Sequence, residues 1–174
     1  METRPHTYSP SSALVPDIVV IERQDADSIQ TFRVLASELL QEYGFDLSYQ
    51  NVDEELLGLP GLYAQPRGAT LLAFVGGEAA GCVALRPLEQ DVCEMKRLYV
   101  RPKFRFLGVG EKLCEHLLES ARRIGYRAMR LDTRRSQMRA AINLYGRLGF
   151  YEIPPYNVSP FSDICYMEKR LDEA

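Results

Sequence analysis

The stretch from Cys93 to Gly125 constrains this chain more than any other. Within it the hydrophobic pattern changes from that of a strand to that of a helix, across a basic turn with two glycines. Cys93 to Val100 is β-branched and aromatic toward its end, and Pro102, which cannot donate to a sheet ladder, closes it. Val109, Leu113, Cys114, Leu117, Leu118, Ala121 and Ile124 then recur at three-and-four spacing, and Gly125 stops the run. The spacing predicts a helix over 108–124. Arg105-Phe106-Leu107-Gly108-Val109-Gly110 joins the two elements. No Ser, Thr, Asp or Asn immediately precedes the helix to accept from its first N–H groups, so those donors need water or an anion. The glycines let a phosphate come close to the backbone. Glu111, in the first turn, suits the helix dipole but repels a phosphate, so it has to point away. The turn lacks the third glycine of a dinucleotide fingerprint and the spacing and hydroxyl residue of a P-loop. A tight strand-to-helix connection with no ligand is the plain alternative.

A second segment, Ala141-Ile142-Asn143-Leu144-Tyr145-Gly146-Arg147-Leu148-Gly149-Phe150, follows downstream. Together the two resemble the GNAT superfamily of N-acetyltransferases, over roughly residues 17–171 and most specifically over 94–150. The resemblance implies that Arg105, Phe106, Leu107, Gly108, Val109 and Gly110 hold the pyrophosphate of acetyl-CoA. It also implies that the strand of Leu98 and Val100 splays from the next, so that the pantetheine arm pairs with exposed backbone. Tyr145 then lies near the thioester sulfur. Two positions depart from the family pattern. Phe106 stands where relatives often have Gly, which narrows the positive-φ options of the turn. Met138 stands seven residues before Tyr145, where many relatives have an Asn that touches the pantetheine. Asn143 faces another side of the helix, so that contact is lost or comes from Ser136 or Gln137.

The rest of the chain reads as one α/β (α+β) domain over 17–174, preceded by a tail, 1–16, with three prolines and little to bury. A strand at 17–22 and an amphipathic helix from about Asp25 to Tyr43 come first, then a Gly-, Pro- and Tyr-rich stretch with a short helix around 52–58. Thr70–Val75 and Ala79–Leu85, separated by Gly76-Gly77-Glu78, signal a hairpin. A strand near Arg127–Asp132, the Tyr145 helix, and strands around Phe150 and 164–169 complete the order. That order implies a single mixed central sheet with helices on both faces, which is also the GNAT arrangement.

A length of 174 residues and 46% hydrophobic content suit a core that needs no staples, and a net charge of −3 gives no general attraction to nucleic acid or membrane. Seven arginines at 122, 123, 127, 130, 134, 135 and 139 leave open a polyanion site, but a solvated face is the simpler reading. Cys82, Cys93, Cys114 and Cys165 sit in apolar patterns without C-x-x-C spacing, as reduced thiols of a cytoplasmic protein. His6 in the tail and a solvent-facing His116 give no metal site. No apolar run is long enough to span a membrane.

The chemistry expected is direct attack of a primary amine on the acetyl thioester. Glu94 is the first candidate to take the amine proton and Asp132 the second, unless Lys96, Arg97 or Arg134 pairs them off. A backbone N–H near Leu98 meets the oxyanion. Tyr145 donates to the departing thiolate, although Met138, Ala141, Ile142 and Leu148 share its stripe and could make it a packing residue. The acceptor walls fall at about 44–65 and 154–163, with Tyr43, Tyr49, Tyr63 and Tyr156. Asp46, Asp53, Glu54 and Glu55 there point to a small cationic or peptide amine, or to a merely solvated loop. Acetyl-CoA and the amine are the partners expected, with no metal, nucleic acid or membrane; a homodimer stays open. A non-catalytic acyl-CoA-binding module on the same fold and an arginine-rich nucleic-acid binder are the alternatives.

Overall fold

The computed structural model describes residues 16–44 and 52–172. The tail up to residue 15, His6, Asp46 and Tyr49 lie outside the described residues. In chain order the elements are β1 (Ile18–Glu22), α1 (Ala26–Glu42), α2 (Val52–Leu57), β2 (Ala69–Val75), β3 (Glu78–Pro87) and β4 (Val92–Val100). Then come α3 (Val109–Ile124), β5 (Ala128–Arg134), α4 (Arg139–Arg147), β6 (Tyr151–Glu152) and β7 (Ile164–Arg170). The strands form one mixed sheet in the order β1-β2-β3-β4-β5-β7-β6, in which β4 and β5 are parallel neighbours.

Strand alternation sorts the apolar residues into two cores, one on each face. Leu71, Val83, Leu85, Met95, Met129 and Leu131 pack with α3 and with Leu144 and Tyr145 of α4. Leu72, Cys82, Ala84 and Tyr99 pack with Phe32, Leu35 and Leu39 of α1 and with α2. Helices therefore cover both faces, as the order of elements implies. Leu113 and Leu117 of α3 are fully buried, and each contributes about 1.5–3 kcal/mol by that burial.

Local chemistry fixes the element ends. Asp25 Oδ1 accepts from Ser28 N at 3.0 Å and caps α1. Gly76 and Gly77, at φ 58° and 82°, form the two-residue turn between β2 and β3 that needs positive φ at both positions. Gly125, at φ 104°, closes α3: its N–H donates to Arg122 O at 3.0 Å, and that of Tyr126 to Ala121 O at 3.0 Å.

The β3–β4 pairing carries an irregularity that shapes the site. Cys82 pairs with Tyr99 and Ala84 with Lys96, so Arg97 and Leu98 together oppose Val83. Arg97 sits at φ 60°, in the left-handed region, as the extra residue of a bulge can.

The turn before α3 also takes positive φ, at Phe106 (64°) and Gly108 (87°). The sequence expectation that a bulky residue narrows the options of this turn is met by strain: Phe106 adopts the conformation that a glycine would hold freely. Its side chain is fully exposed, so packing offsets nothing. Phe106→Gly is therefore expected to raise stability by about 0.5–1 kcal/mol, the left-handed penalty less the added freedom of the unfolded chain. A higher urea midpoint at constant m-value is the readout; an unchanged or lower midpoint means the turn stores no strain.

Candidate active site

β4 and β5 stay together for three residue pairs, Val92–Ala128, Cys93–Met129 and Glu94–Arg130. Beyond Glu94 the strand β4 is paired to β3 only, and β5 from Leu131 to Arg134 to β7 only. The sheet thus opens into a wedge, and the backbone edge of β4 that carries Leu98 and Val100 faces it. A cavity of 430 Å³ occupies this opening. Its walls include Leu39, Leu98, Asp132, Met138, Tyr145 and Asn157, from α1, β4, β5, α4 and the β6–β7 link.

With Cys93, Met95, Met129 and Leu131 turned to the α3–α4 core, alternation sends Glu94, Lys96, Arg130 and Asp132 to the opposite face. Glu94 is only 1% exposed. Its Oε1 accepts from Arg86 Nε at 3.0 Å and Nη2 at 2.8 Å, with Lys96 Nζ at 3.4 Å. Its Oε2 accepts from the Tyr156 hydroxyl at 2.8 Å. Glu94 does not line the cavity. Asp132 does: Oδ1 accepts from Lys96 Nζ at 3.2 Å and Oδ2 from Asn157 Nδ2 at 2.8 Å. Burial alone would raise its pKa, but Lys96, Asn157 and, at longer range, Arg86 hold the carboxyl below the usual carboxylate range.

Tyr145 is buried against Phe150, with ring centroids 5.8 Å apart. Among the described residues its hydroxyl has no hydrogen-bond partner, and it faces the cavity wall. Burial pushes its pKa well above that of an ordinary tyrosine. Ser136 and Gln137, the residues expected to make up for the polar contact that Met138 lacks, do not line the cavity and are engaged elsewhere. Ser136 Oγ donates to Asp163 and Gln137 Nε2 to Tyr43 O, while Met138 itself lines the cavity.

At the mouth of α3, the residue at the N-cap is Gly108, and no side chain caps the helix. Nothing lies within 4 Å of where a Cβ on Gly108 would stand, so the approach to these amides is open. Arg105 has its own partners: Nε donates to Val100 O at 2.9 Å, and Nη2 reaches Glu42 Oε1 at 2.7 Å.

The acetyltransferase (GNAT) family model matches residues 32–150. The chain belongs to the GNAT family of acetyltransferases. Among its relatives is an uncharacterized N-acetyltransferase of Schizosaccharomyces pombe, 40% identical over 152 residues that span 86% of this chain and 91% of the relative. An uncharacterized N-acetyltransferase of Escherichia coli is 30% identical over 145 residues, spanning 80% and 86% of the two chains. An acetyltransferase of the GNAT family from Staphylococcus aureus superposes with a TM-score of 0.75 at 19% identity, covering 90% of this chain and all of that one. The PaiA N-acetyltransferase of Thermoplasma acidophilum, solved in complex with coenzyme A, gives 0.66 at 18% identity over 87% of this chain and 99% of that one. These two share the fold.

As a GNAT acyltransferase, the protein has a site whose sheet opening was expected from its family and whose side chains were only partly expected. Arg86 and Asn157 escaped the sequence reading. Arg86 follows Leu85, an inward residue at the end of β3, and its register partner is Glu94; pairing the two strands on paper would have put guanidinium and carboxylate together. Asn157 lies in an irregular link with no periodic signal. Of the wall tyrosines, Tyr63 is a core residue whose hydroxyl donates to Glu55 Oε1 at 2.7 Å, and Tyr156 is tied to Glu94. The arginine cluster is largely spent in ion pairs: Arg123 with Glu22, Arg127 with Asp172, Arg130 with Glu89 and Glu168, Arg134 with Asp163, and Arg135 with Glu152. His116 is exposed, and all four cysteines are free and buried, with burial pushing the Cys93 thiol up to about 12. Among the described residues no group of His, Cys, Asp and Glu is gathered for a metal, and no helix is long and apolar enough to cross a membrane.

Proposed function

We propose that the protein moves the acetyl group of acetyl-CoA to the primary amine of a small molecule or peptide, by direct attack with both substrates bound. The observation that carries this reading is the parting of β4 and β5 after Glu94 around a 430 Å³ cavity with Tyr145 in its wall, while the uncapped start of α3 packs at Gly110 against Val100 of β4 and Leu144 of α4. Acetyl-CoA supplies an activated thioester. The amides of Gly108, Val109 and Gly110 are free of side-chain caps and suit its pyrophosphate. Arg105 adds charge there once it shares or releases Glu42. The edge of β4 at Leu98 and Val100 offers backbone groups to the pantetheine amides, and the bulge at Arg97 and Leu98 presents an N–H where oxyanion charge develops.

Glu94, the first expected proton acceptor, becomes a positioning residue in this reading. A buried carboxylate already engaged by Arg86, Lys96 and Tyr156, and absent from the cavity wall, has no free approach for an amine. Asp132 takes over that place. Its depressed pKa makes it too weak to strip an ammonium of pKa about 10, so it seats the ammonium, which gives its proton to solvent before attack; the neutral amine then adds to the thioester carbonyl, and the proton left on its nitrogen departs through water as the carbon–sulfur bond breaks. Tyr145 donates a hydrogen bond to the departing sulfur. The free, buried cysteines support a cytoplasmic location.

A thiol-release assay with acetyl-CoA and a panel of amines tests the reading. Amine-dependent release with kcat/KM rising about tenfold per pH unit below the amine pKa is expected, because only the neutral amine attacks. Tight acetyl-CoA binding with no release for any amine would instead mark a non-catalytic acyl-CoA-binding module.

A further inference from the structure

We infer that the acceptor amine also carries a carboxylate, as an amino acid does, and that Arg86 anchors that carboxylate while Asp132 seats the amine. The inference rests on the acetyltransferase reading above and names the substrate class of that site.

The ionisable residues of the cavity wall are four cations, Arg86, Lys96, Arg97 and Arg134, against two anions, Glu55 and Asp132. How each is satisfied decides what the site can recognise. Arg97 and Glu55 close on one another: Nε meets Oε1 at 3.0 Å, Nη2 meets Oε2 at 2.7 Å, and the Tyr63 hydroxyl, donating to Oε1, is a third donor to the carboxylate. That carboxylate has little capacity left for an ammonium. Lys96 is divided between Glu94 and Asp132. Arg86 is different. Its Nε and Nη2 both converge on one oxygen of Glu94, so its Nη1 has no hydrogen-bond partner among the described residues. Glu94, held from its other oxygen by Tyr156, fixes the guanidinium in place. A planar fork with open donors on a cavity wall fits a carboxylate.

Asp132 is the complementary pole. Each of its oxygens accepts one hydrogen bond, and a carboxylate has about four lone-pair sites, so it can take an ammonium as well. Arg86 is near enough to help hold the Asp132 carboxyl low, which places the two poles in one electrostatic neighbourhood. Of the acidic residues that pointed to a cationic acceptor, the described ones do not serve it: Asp53 and Glu54 are exposed and do not line this cavity, and Glu55 is spent on Arg97. Among the described residues a cationic peptide would meet one available carboxylate, with the open Nη1 of Arg86 on the same cavity wall. An amino acid meets an acid for its amine and a fork for its carboxylate.

The test compares matched acceptors in the thiol-release assay, each amino acid beside its amide, its methyl ester and its decarboxylated amine. The free acid is expected to show kcat/KM about 10- to 100-fold above the others, by the worth of a charge-assisted pair. Arg86→Lys should keep part of that preference. Arg86→Met combined with Glu94→Gln, which leaves no unpaired buried charge, should abolish it while the acetyl-CoA Kd stays unchanged. Amides or esters that react as well as the acids overturn the carboxylate anchor but leave the acetyltransferase reading standing. A panel in which no member reacts overturns both, unless N-acetylamino acids bind the coenzyme A-loaded protein in calorimetry and their amides do not.

Discussion

Tyr145→Phe is expected to lower kcat about 10- to 100-fold while leaving the acetyl-CoA Kd within about twofold, the worth of one hydrogen bond to a developing charge. Tyr145 reaches the wedge from α4 with its ring fixed by Phe150 and its hydroxyl unclaimed among the described residues. Burial keeps the phenol neutral over the working pH range, so its proton is always present. The same burial makes it a weaker acid than free tyrosine, whereas a coenzyme thiol has a pKa of roughly 8.5. Complete transfer is therefore uphill. In the proposed reaction the group acts by donating a hydrogen bond that stabilises the sulfur as the bond to the acetyl carbon breaks. Because the hydroxyl makes no internal bond, its removal should leave the thermal midpoint unchanged. Single-turnover rates and calorimetry check the two halves of this expectation, and wild-type turnover in the variant would reduce Tyr145 to a packing residue.

Asp132→Asn should have an effect of similar size on the other substrate. The variant keeps the shape of the side chain, but its single amide oxygen can accept from only one of Lys96 and Asn157, and it loses the charge that draws an ammonium. A hydrogen bond between charged groups contributes about 1.5–3 kcal/mol, so kcat/KM for the amine should fall about 10- to 100-fold with the acetyl-CoA Kd unaltered. The pH profile separates this from a folding defect. In the wild type the acid limb belongs to the amine, since the Asp132 carboxyl is held below the usual range and stays ionised until well into acid. The slope should therefore survive in the variant while the whole profile drops. Unchanged amine kinetics in Asp132→Asn would return the proton problem to Glu94 and Tyr156.

Much of the fold was legible because its signals are local. The three-and-four spacing from Val109 to Ile124, ended by Gly125, describes a helix that forms as written, and Gly76-Gly77 turns where a two-residue hairpin must. The wedge was a different matter. Periodicity says that Leu98 and Val100 lie in a strand; that this strand splays from the next came only from the family resemblance, and nothing in the sequence marked the bulge at Arg97 or the pairing of β5 with β7. The end of β5 was read two residues short, at Asp132, because Thr133 and Arg134 carry no apolar alternation, although both line the cavity. Glu94 illustrates the limit for a site. Its strand and its face follow from Cys93 and Met95, but its burial depends on Arg86 from β3, eight residues before it, and on Tyr156, sixty-two residues after it. No one-dimensional pattern brings those three together.

The central claim is that the space between the parted strands and the uncapped amides of α3 hold one thioester carrier. A crystal structure of the wild-type protein with acetyl-CoA tests it most directly. The expected density places the pyrophosphate within hydrogen-bond distance of the Gly108–Gly110 amides, the pantetheine along Leu98 and Val100, and the sulfur beside the Tyr145 hydroxyl. Density for the carrier elsewhere on the molecule, with the wedge filled by solvent, would contradict it.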